Sequence, residues 1–207
     1  MPRTKGALDA NHEETRKNLL NKVRARMTNT GAERLSFREL AAAAGVSVPT
    51  LRHYFGTRAD LVAAVLRQIH ELGKLHIEAV SRPTLNFEAS LVEVASMLAD
   101  GVRYGGMDRV HTLGLTEGLG DSRSGPEYLS SILEPALQAV EARLIAHQQH
   151  GEMIEVPPRH AALILVAPLL LAFLHQNRLG GAQVRPMEIK DFIGEQVRMF
   201  LKAYGTN

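Results

Sequence analysis

An all-α fold is predicted for this 207-residue chain on three observations. Apolar residues recur at helical spacing in one segment after another. No stretch sustains the period-2 alternation of a half-buried strand. Capping residues, glycine and proline divide the segments. The expected arrangement is an N-terminal head of three helices over residues 1–57, followed by a C-terminal helical bundle body of about six helices over residues 58–207.

Residues 1–10 read as a flexible arm. A first helix is expected from about 11 to 28, with Leu19, Leu20, Val23 and Met27 on one side. Arg16, Lys17, Lys22, Arg24 and Arg26 cover much of the rest, and Thr30-Gly31 ends it. Ser36 with Glu39 three residues on is a capping box, and Leu35 and Leu40 sit where a hydrophobic staple clamps the entry angle. Ala41–Ala44 extends this second helix until Gly45, which can take the left-handed conformation that stops it.

The third helix is short. Its cap is either Ser47 or Val48, and the restriction on residues before proline leans toward Val48, with Pro49 at the first helical position. Leu51 and Phe55, four apart, face inward. Gly56 closes the helix, and Thr57 with Asp60 forms a second capping box. An isolated helix this short is marginal in water, so its flanking stops hold it in place.

From Arg58 a long helix carries Leu61, Val65, Ile69, Leu72 and Ala79 as one stripe and ends before Pro83. Asn86 caps the next helix, with Leu91, Val94 and Leu98 inside. Residues 101–125 hold seven glycines and are expected to form one short helix and a mobile loop around GDSRSGP. A helix follows from Pro126 to about His150, bent at Pro135. Pro157-Pro158 open an apolar helix to about Arg178, broken by Gly180-Gly181. The last helix has apolar residues at 189, 192, 193, 197, 200, 201 and 204.

The composition is that of a globular domain: 45% hydrophobic, 22% charged, no cysteine and no tryptophan. Without cysteine there is no disulfide framework, thiolate metal site or Cys nucleophile. The N-terminus is polar where a signal peptide would be apolar, and the 14-residue run at 161–174 is too short to span a bilayer. A soluble, cytoplasmic chain is expected. Charge is uneven. Residues 1–60 hold 11 Lys+Arg against 6 Asp+Glu, a net of +5, whereas residues 61–207 hold 13 against 16, a net of −3. A basic head on an acidic body suits a polyanionic partner.

Residues 37–55 therefore read as a helix-turn-helix, in which the second helix enters the major groove of double-stranded DNA. Thr50 is suited to a base edge, and Val48 and Pro49 to thymine methyls. Ser47 stands at the helix start. Arg52 and His53 can reach a base or phosphate, and Tyr54 can direct its hydroxyl at phosphate. Arg38, Thr57 and Arg58 add backbone contacts.

Over Ser36–Leu61, SFRELAAAAGVSVPTLRHYFGTRADL, the sequence resembles the TetR family of bacterial transcriptional regulators. The resemblance lies in the small-residue run before Gly-Val-Ser, the Leu-x-x-x-Phe of the recognition helix, and the basic residue before the Leu of the fourth helix. It implies a DNA-binding head and a ligand-binding, dimerising body, most members being repressors that release DNA when a small, often apolar ligand binds. The family usually carries Tyr-x-His-Phe where this chain has Arg52-His53-Tyr54-Phe55, which leaves open how His53 and Tyr54 divide the phosphate contacts.

In the body, the last two helices are expected to pair with their copies in a homodimer through Leu165, Leu169, Phe173, Ile189, Phe192, Ile193, Val197 and Phe200. Two recognition helices would then meet a near-palindromic operator about one DNA turn apart, on the order of 34–36 Å or a multiple of it. Candidate ligand-lining residues are Leu66, Phe87, Met97, Tyr104, His111, Tyr128 and Phe173, chosen near glycines and prolines where helices pack less tightly. His147 and His150, with Glu152 and Glu155 nearby, match no helical metal signature and read as solvated helix-end histidines. No metal or cofactor is expected. An effector-independent architectural protein is the alternative reading. An enzyme is disfavoured by the lack of a nucleophile elbow, phosphate loop or acid/base pair.

Overall fold

The computed structural model describes residues 5–29, 35–84 and 86–206, with side chains described from residue 11. Among them are eleven α-helices: α1 (Lys5–Met27), α2 (Phe37–Ala44), α3 (Val48–Phe55), α4 (Arg58–Ser81), α5 (Phe87–Arg103), α6 (Met107–Gly120), α7 (Ser124–Tyr128), α8 (Glu134–Gln149), α9 (Pro158–Asn177), α10 (Gly181–Val184) and α11 (Ile189–Tyr204). A π-helical turn, Leu129–Leu133, joins α7 to α8. The fold is all-α.

The chain forms two compact units. One comprises Met1–Ile69 with Leu113–Tyr128, the other His70–Thr112 with Leu129–Asn207. These bounds differ from a division at residues 57 and 58, because the first turns of α4 bury Leu61, Val62, Val65 and Leu66 in the first unit. Helices α4 and α6 each contribute to both units.

In the first unit, α1 begins at Lys5, so residues 5–10 continue the helix rather than forming an arm. The expected stop at Thr30-Gly31 lies outside the described residues. Leu19, Leu20, Val23 and Met27 are buried, as are Leu35, Leu40, Leu51 and Phe55. Asn21, Arg24 and Gln68 tie α1 to α4, with Arg24 Nε donating to Gln68 at 3.0 Å and Gln68 donating to Asn21 at 2.9 Å.

The segment 113–128 departs from expectation. It consists of the end of α6, a short turn and α7, and its glycines sit at close contacts. A Cβ on Gly114 would lie 2.0 Å from the Tyr128 ring, and one on Gly118 would lie 3.0 Å from Gly125. A missing side chain permits close helix packing as readily as it ends a helix. Asp121 turns the chain by accepting from the backbone N–H groups of Arg123 and Ser124, both at 3.0 Å.

In the second unit, the core runs through Phe87, Leu91, Val94, Val140, Leu144, Leu165, Leu169, Val197 and Phe200. Asn86 caps α5 by accepting from Ala89 N–H. Leu72, expected on the buried stripe of α4, is 66% exposed, the second half of that helix burying only Val80 on its inner side. Buried Arg143 donates to the carbonyls of Ala79, Val80 and Arg82 at the end of α4, to Ser90, and to Glu93 at 2.6 Å. One guanidinium thus satisfies the otherwise orphaned last carbonyls of a helix and holds α5 and α8 against it.

Both internal prolines leave a carbonyl without its helical donor, and in each case a side chain replaces it. Ser131 O, four residues before Pro135, lies 3.0 Å from His70 Nδ1. Ile164 O, four before Pro168, accepts from Gln196 Nε2 at 3.0 Å, joining α9 to α11. The expected bend at Pro135 takes the form of the π turn preceding it.

Helix α9 is 20 residues long, so by length and composition it could cross a membrane, beyond what its 14-residue apolar run suggested. Eight of its residues are buried in the unit's own core. His147 is also buried, not solvated: Gly151, at φ 72°, turns the chain back so that Glu152 reaches His147 Nδ1 at 2.6 Å.

Candidate nucleic-acid interface

Three N-terminal caps and two glycine stops order the helix-turn-helix. Ser36 Oγ accepts from Glu39 N–H at 3.2 Å while the Glu39 carboxylate accepts from Ser36 N–H at 2.7 Å. The Ser36 N–H, and after it the Ser36 hydroxyl donating to the same carboxylate at 2.7 Å, hold the Glu39 carboxyl below the usual carboxylate range. Gly45, at φ 76°, closes α2, its N–H and that of Val46 bonding back to Ala42 and Ala41. At α3 the cap is Ser47, not Val48: Ser47 Oγ accepts from Thr50 N–H at 3.2 Å, and Val48 is already helical. Gly56 ends α3 at φ 72°, and Thr57 and Asp60 cap α4 reciprocally at 2.8 and 3.3 Å. The Thr57 hydroxyl, donating to the Asp60 carboxylate at 2.5 Å, and then the Thr57 N–H lower the Asp60 carboxyl in turn.

The helix held this way buries Leu51 and Phe55 and exposes Pro49, Arg52 and His53. Ser47, Thr57 and Arg38 are exposed; Val48, Thr50, Tyr54 and Arg58 are half-buried. The Thr50 hydroxyl is 2.8 Å from that of Ser47. Arg52 lies over the Phe37 ring, 5.8 Å from its centroid, which orders the stem while the guanidinium stays at the surface.

Arg58 is committed elsewhere. It donates to the Glu117 carboxylate at 2.5 and 3.1 Å, and also to Leu35 O. It therefore joins the start of the helix-turn-helix to α6. Two further pairs run between α4 and the same segment: Arg67 with Glu127 at 2.7 Å, and Asp60 with Arg123 at 3.7 Å. Arg123 also donates to the Thr57 hydroxyl at 3.3 Å. Glu117 and Arg123 lie some sixty residues from their partners, and no local pattern announces them.

His12 is a further residue of this face, legible from helical spacing. It stands four residues before Arg16 and seven before Leu19, so extending the packed face of α1 by one turn reaches it. Its ring stacks on Tyr54 with centroids 4.7 Å apart and planes at 29°. His53 meets both rings edge-on, at 5.3 Å to Tyr54 and 6.0 Å to His12. One turn along, Arg16 sits over the Phe55 ring at 5.2 Å.

The residues expected to line a ligand pocket belong to both units. Leu66 and Tyr128 are buried in the first unit, whereas Phe87 and Phe173 belong to the core of the second. Met97 is half-buried and Tyr104 is 74% exposed. Burial pushes the Tyr128 hydroxyl up to about 12. Burial pushes His111 down to about 4, with Asp108 opposing. Only Phe173 borders the large groove of the second unit, about 890 Å³, which lies between α5 and α11. Val92, Ala99, Ile193 and Val197 also line it, with Glu88, Asp100, Arg103, Lys190 and Arg198.

Of the eight residues expected at a dimer interface, Leu165, Leu169, Phe173, Val197 and Phe200 are buried in the chain's own core. Ile189, Phe192 and Ile193 pack half-buried against it. The apolar stripe selected by periodicity is thus the inward one. The outward face of α9 is also apolar: Leu163, Ile164 and Leu171 are exposed, with Met199 of α11.

Residues 24–65 match the model for bacterial regulatory proteins of the tetR family. Residues 89–206 match the model for the C-terminal domain of AefR-like transcriptional repressors. No curated protein matches the sequence. Among solved structures, a proposed transcriptional regulator from Saccharomonospora viridis in complex with choline aligns with a TM-score of 0.72 at 17% identity, over 94% of this chain and 100% of that one. A TetR family transcriptional regulator from Pseudomonas syringae pv. tomato aligns at 0.68 and 19%, over 93% and 97%. SmeT, the repressor of the Stenotrophomonas maltophilia multidrug efflux pump SmeDEF, aligns at 0.64 and 19%, over 93% and 91%.

Proposed function

The chain belongs to the TetR family of bacterial regulatory proteins, and we propose that it binds a near-palindromic operator as a homodimer and leaves it when a small ligand occupies the body. It is a DNA-binding transcriptional regulator of the repressor type, with a ligand-binding C-terminal domain. The observation that carries the DNA reading is the pre-ordered α3, capped by Ser47 and closed by Gly56, with Pro49, Arg52 and His53 exposed on a head of net charge +5. A recognition helix already ordered before contact avoids an entropy cost on binding.

In this reading Thr50, Val48 and Pro49 meet base edges, while Arg38, Arg52, His53, Tyr54 and Thr57 meet the backbone. Arg58, engaged by Glu117 and Leu35 O, acts mainly as a tie between α4 and α6. The exposed apolar face of α9, with Met199 of α11, is the surface a second copy would cover. Two helices from each subunit would form a four-helix interface about a two-fold axis. The groove between α5 and α11 is the proposed effector site, its volume and mixed lining suiting a small ligand with an apolar body and a polar end. The protein would work in the cytoplasm, where its DNA is.

Selection of bound duplexes from a random pool tests the whole reading. The expected result is an inverted repeat with half-sites about one helical turn apart or a multiple. Affinity should fall steeply with salt as phosphate contacts release counterions. Arg52→Ala should weaken all sequences alike and flatten that slope, whereas Thr50→Ala should change sequence preference. A protein that prefers no duplex over heparin, or that sediments as a monomer at micromolar concentration, overturns the reading in its DNA or its dimer part respectively.

A further inference from the structure

We propose that His12, on α1 and outside the helix-turn-helix, is a positioning residue of the DNA interface: its ring sets the orientation in which Tyr54 meets the phosphate backbone. The proposal rests on the DNA reading above and names a residue that reading does not include.

Tyr54 lies at the end of α3, next to the inward Phe55, and is only half-buried. A tyrosine there can rotate about two side-chain torsions, and its hydroxyl sweeps a wide arc as it does. Two rings restrict it. His12 stacks on its face at 4.7 Å with planes 29° apart, and His53 closes on it edge-on at 5.3 Å. Both distances fall in the range of favourable aromatic pairs. His53 shares the helix with Tyr54 and would accompany it anyway, but His12 belongs to a different helix. The stacking ring therefore refers the orientation of Tyr54 to the body of α1.

That reference is itself well anchored. One turn after His12, Arg16 covers the Phe55 ring at 5.2 Å. A turn further on, Leu19, Leu20 and Val23 are buried in the core of the unit. His12 is solvent-exposed and contributes little to that core. Holding exposed rings in one geometry costs side-chain freedom in the free protein. Here it fixes the hydroxyl before DNA arrives, so less side-chain freedom is lost on binding.

The test is a double-mutant cycle on affinity for the selected operator duplex, with thermal unfolding of each variant followed in parallel. His12→Ala should weaken binding by about three- to tenfold, the loss expected for releasing one or two ordered side chains. His12→Phe, which restores a stacking ring without polar atoms, should bind within about twofold of wild type, since positioning needs the ring face and not the imidazole nitrogens. Tyr54→Phe should weaken binding by itself, and adding His12→Ala to Tyr54→Phe should cost little more, because no hydroxyl remains to be positioned. Equal cost of His12→Ala in both backgrounds overturns the proposal, as does a His12→Phe variant as weak as His12→Ala. Should His12→Ala lower the unfolding temperature, the cycle is run with His12→Asn, and the same two results decide. A wild-type protein that binds no duplex is a failure of the DNA reading and is recognised before any variant is made.

Discussion

Two regions of the first unit use glycine for opposite purposes. In the helix-turn-helix, Gly45 and Gly56 stand at φ 76° and 72°, and each ends a helix. Around Gly45 there is room: a Cβ would meet nothing nearer than Lys22 Nζ at 3.9 Å. In α6, Gly114 and Gly118 are ordinary helical residues packed against α7, one with no room under the Tyr128 ring and the other tight against Gly125. Gly45 is needed for its backbone alone, Gly56 for its backbone although a Cβ there would also meet Asp60 Oδ2 at 2.8 Å, and the second pair for its lack of a side chain. The distinction matters for function, because the crowded segment is the one whose Glu117, Arg123 and Glu127 pair with the start of α4 just after the recognition helix.

The largest effect should come from the crowded region. Gly114→Ala places a methyl group 2.0 Å from a buried aromatic ring, an overpacking expected to cost about 3 kcal/mol or more. In a Tyr128→Ala background the same change should cost under about 1 kcal/mol, since the clash is gone. Chemical denaturation of the four proteins measures both. If the two costs are equal, Gly114 is needed for backbone freedom and the contrast drawn here fails.

Next comes acid. Burial holds His111, also on α6, down at about 4 against 6.5 for the free group. Its folded pKa is depressed, so above pH 6.5 it is neutral in both states and contributes no pH dependence. As pH falls from 6.5 toward 4 the unfolded chain takes up the proton first, and stability drops by about 3 kcal/mol in total. His111→Gln should remove that slope in denaturation curves recorded between pH 7 and 4. The caps of the helix-turn-helix titrate in a lower window. Glu39 and Asp60 are held below their free values of 4.5 and 3.8. Their contribution is full above those values and is lost as pH falls through the lowered folded ones.

A smaller change tests the other glycine type. Gly45→Ala must force a side chain into the left-handed region and should cost about 1–2 kcal/mol. Truncating Lys22 should not rescue it, because its cost is torsional and not a clash. Rescue would place Gly45 with Gly114 and erase the difference between the two regions.

What could be read from residue order follows the same division. Ser36–Glu39, Gly45, Thr57–Asp60 and Asn86 act on neighbours three or four residues away, so their effect was visible locally and each is found in place. The exception is Ser47, where the pre-proline rule favoured Val48. A direct side-chain bond to Thr50 N–H outweighed that steric preference. Gly114 and Gly118 act on residues that only the fold brings to them, so composition suggested a mobile loop where there is close packing. The same holds for Arg58, whose basic charge was legible but whose partner Glu117 was not. Periodicity likewise found the apolar faces of α9 and α11 yet could not say which face the chain itself covers. In α9, apolar on both sides, Leu165, Leu169 and Phe173 lie on the side the chain itself covers, and Leu163, Ile164 and Leu171 on the exposed one.

The smallest predicted effect separates two contributions within a single cap. Ser36→Ala removes the hydroxyl that accepts from Glu39 N–H and should cost about 1 kcal/mol at neutral pH. It leaves the Ser36 backbone N–H, which donates to the Glu39 carboxylate at 2.7 Å and is the larger cause of that carboxyl's lowered pKa. The variant should therefore keep most of the Glu39 contribution to acid sensitivity below pH 4.5. Glu39→Gln keeps an acceptor oxygen for the same N–H but has no charge to titrate, so that contribution should disappear. Denaturation curves from pH 7 to 3 compare the two directly. If Ser36→Ala flattens the acid limb as fully as Glu39→Gln, the hydroxyl and not the backbone governs the carboxylate. The cap would then depend on a side chain, as the α6–α7 crossing depends on the lack of one, and not on backbone geometry.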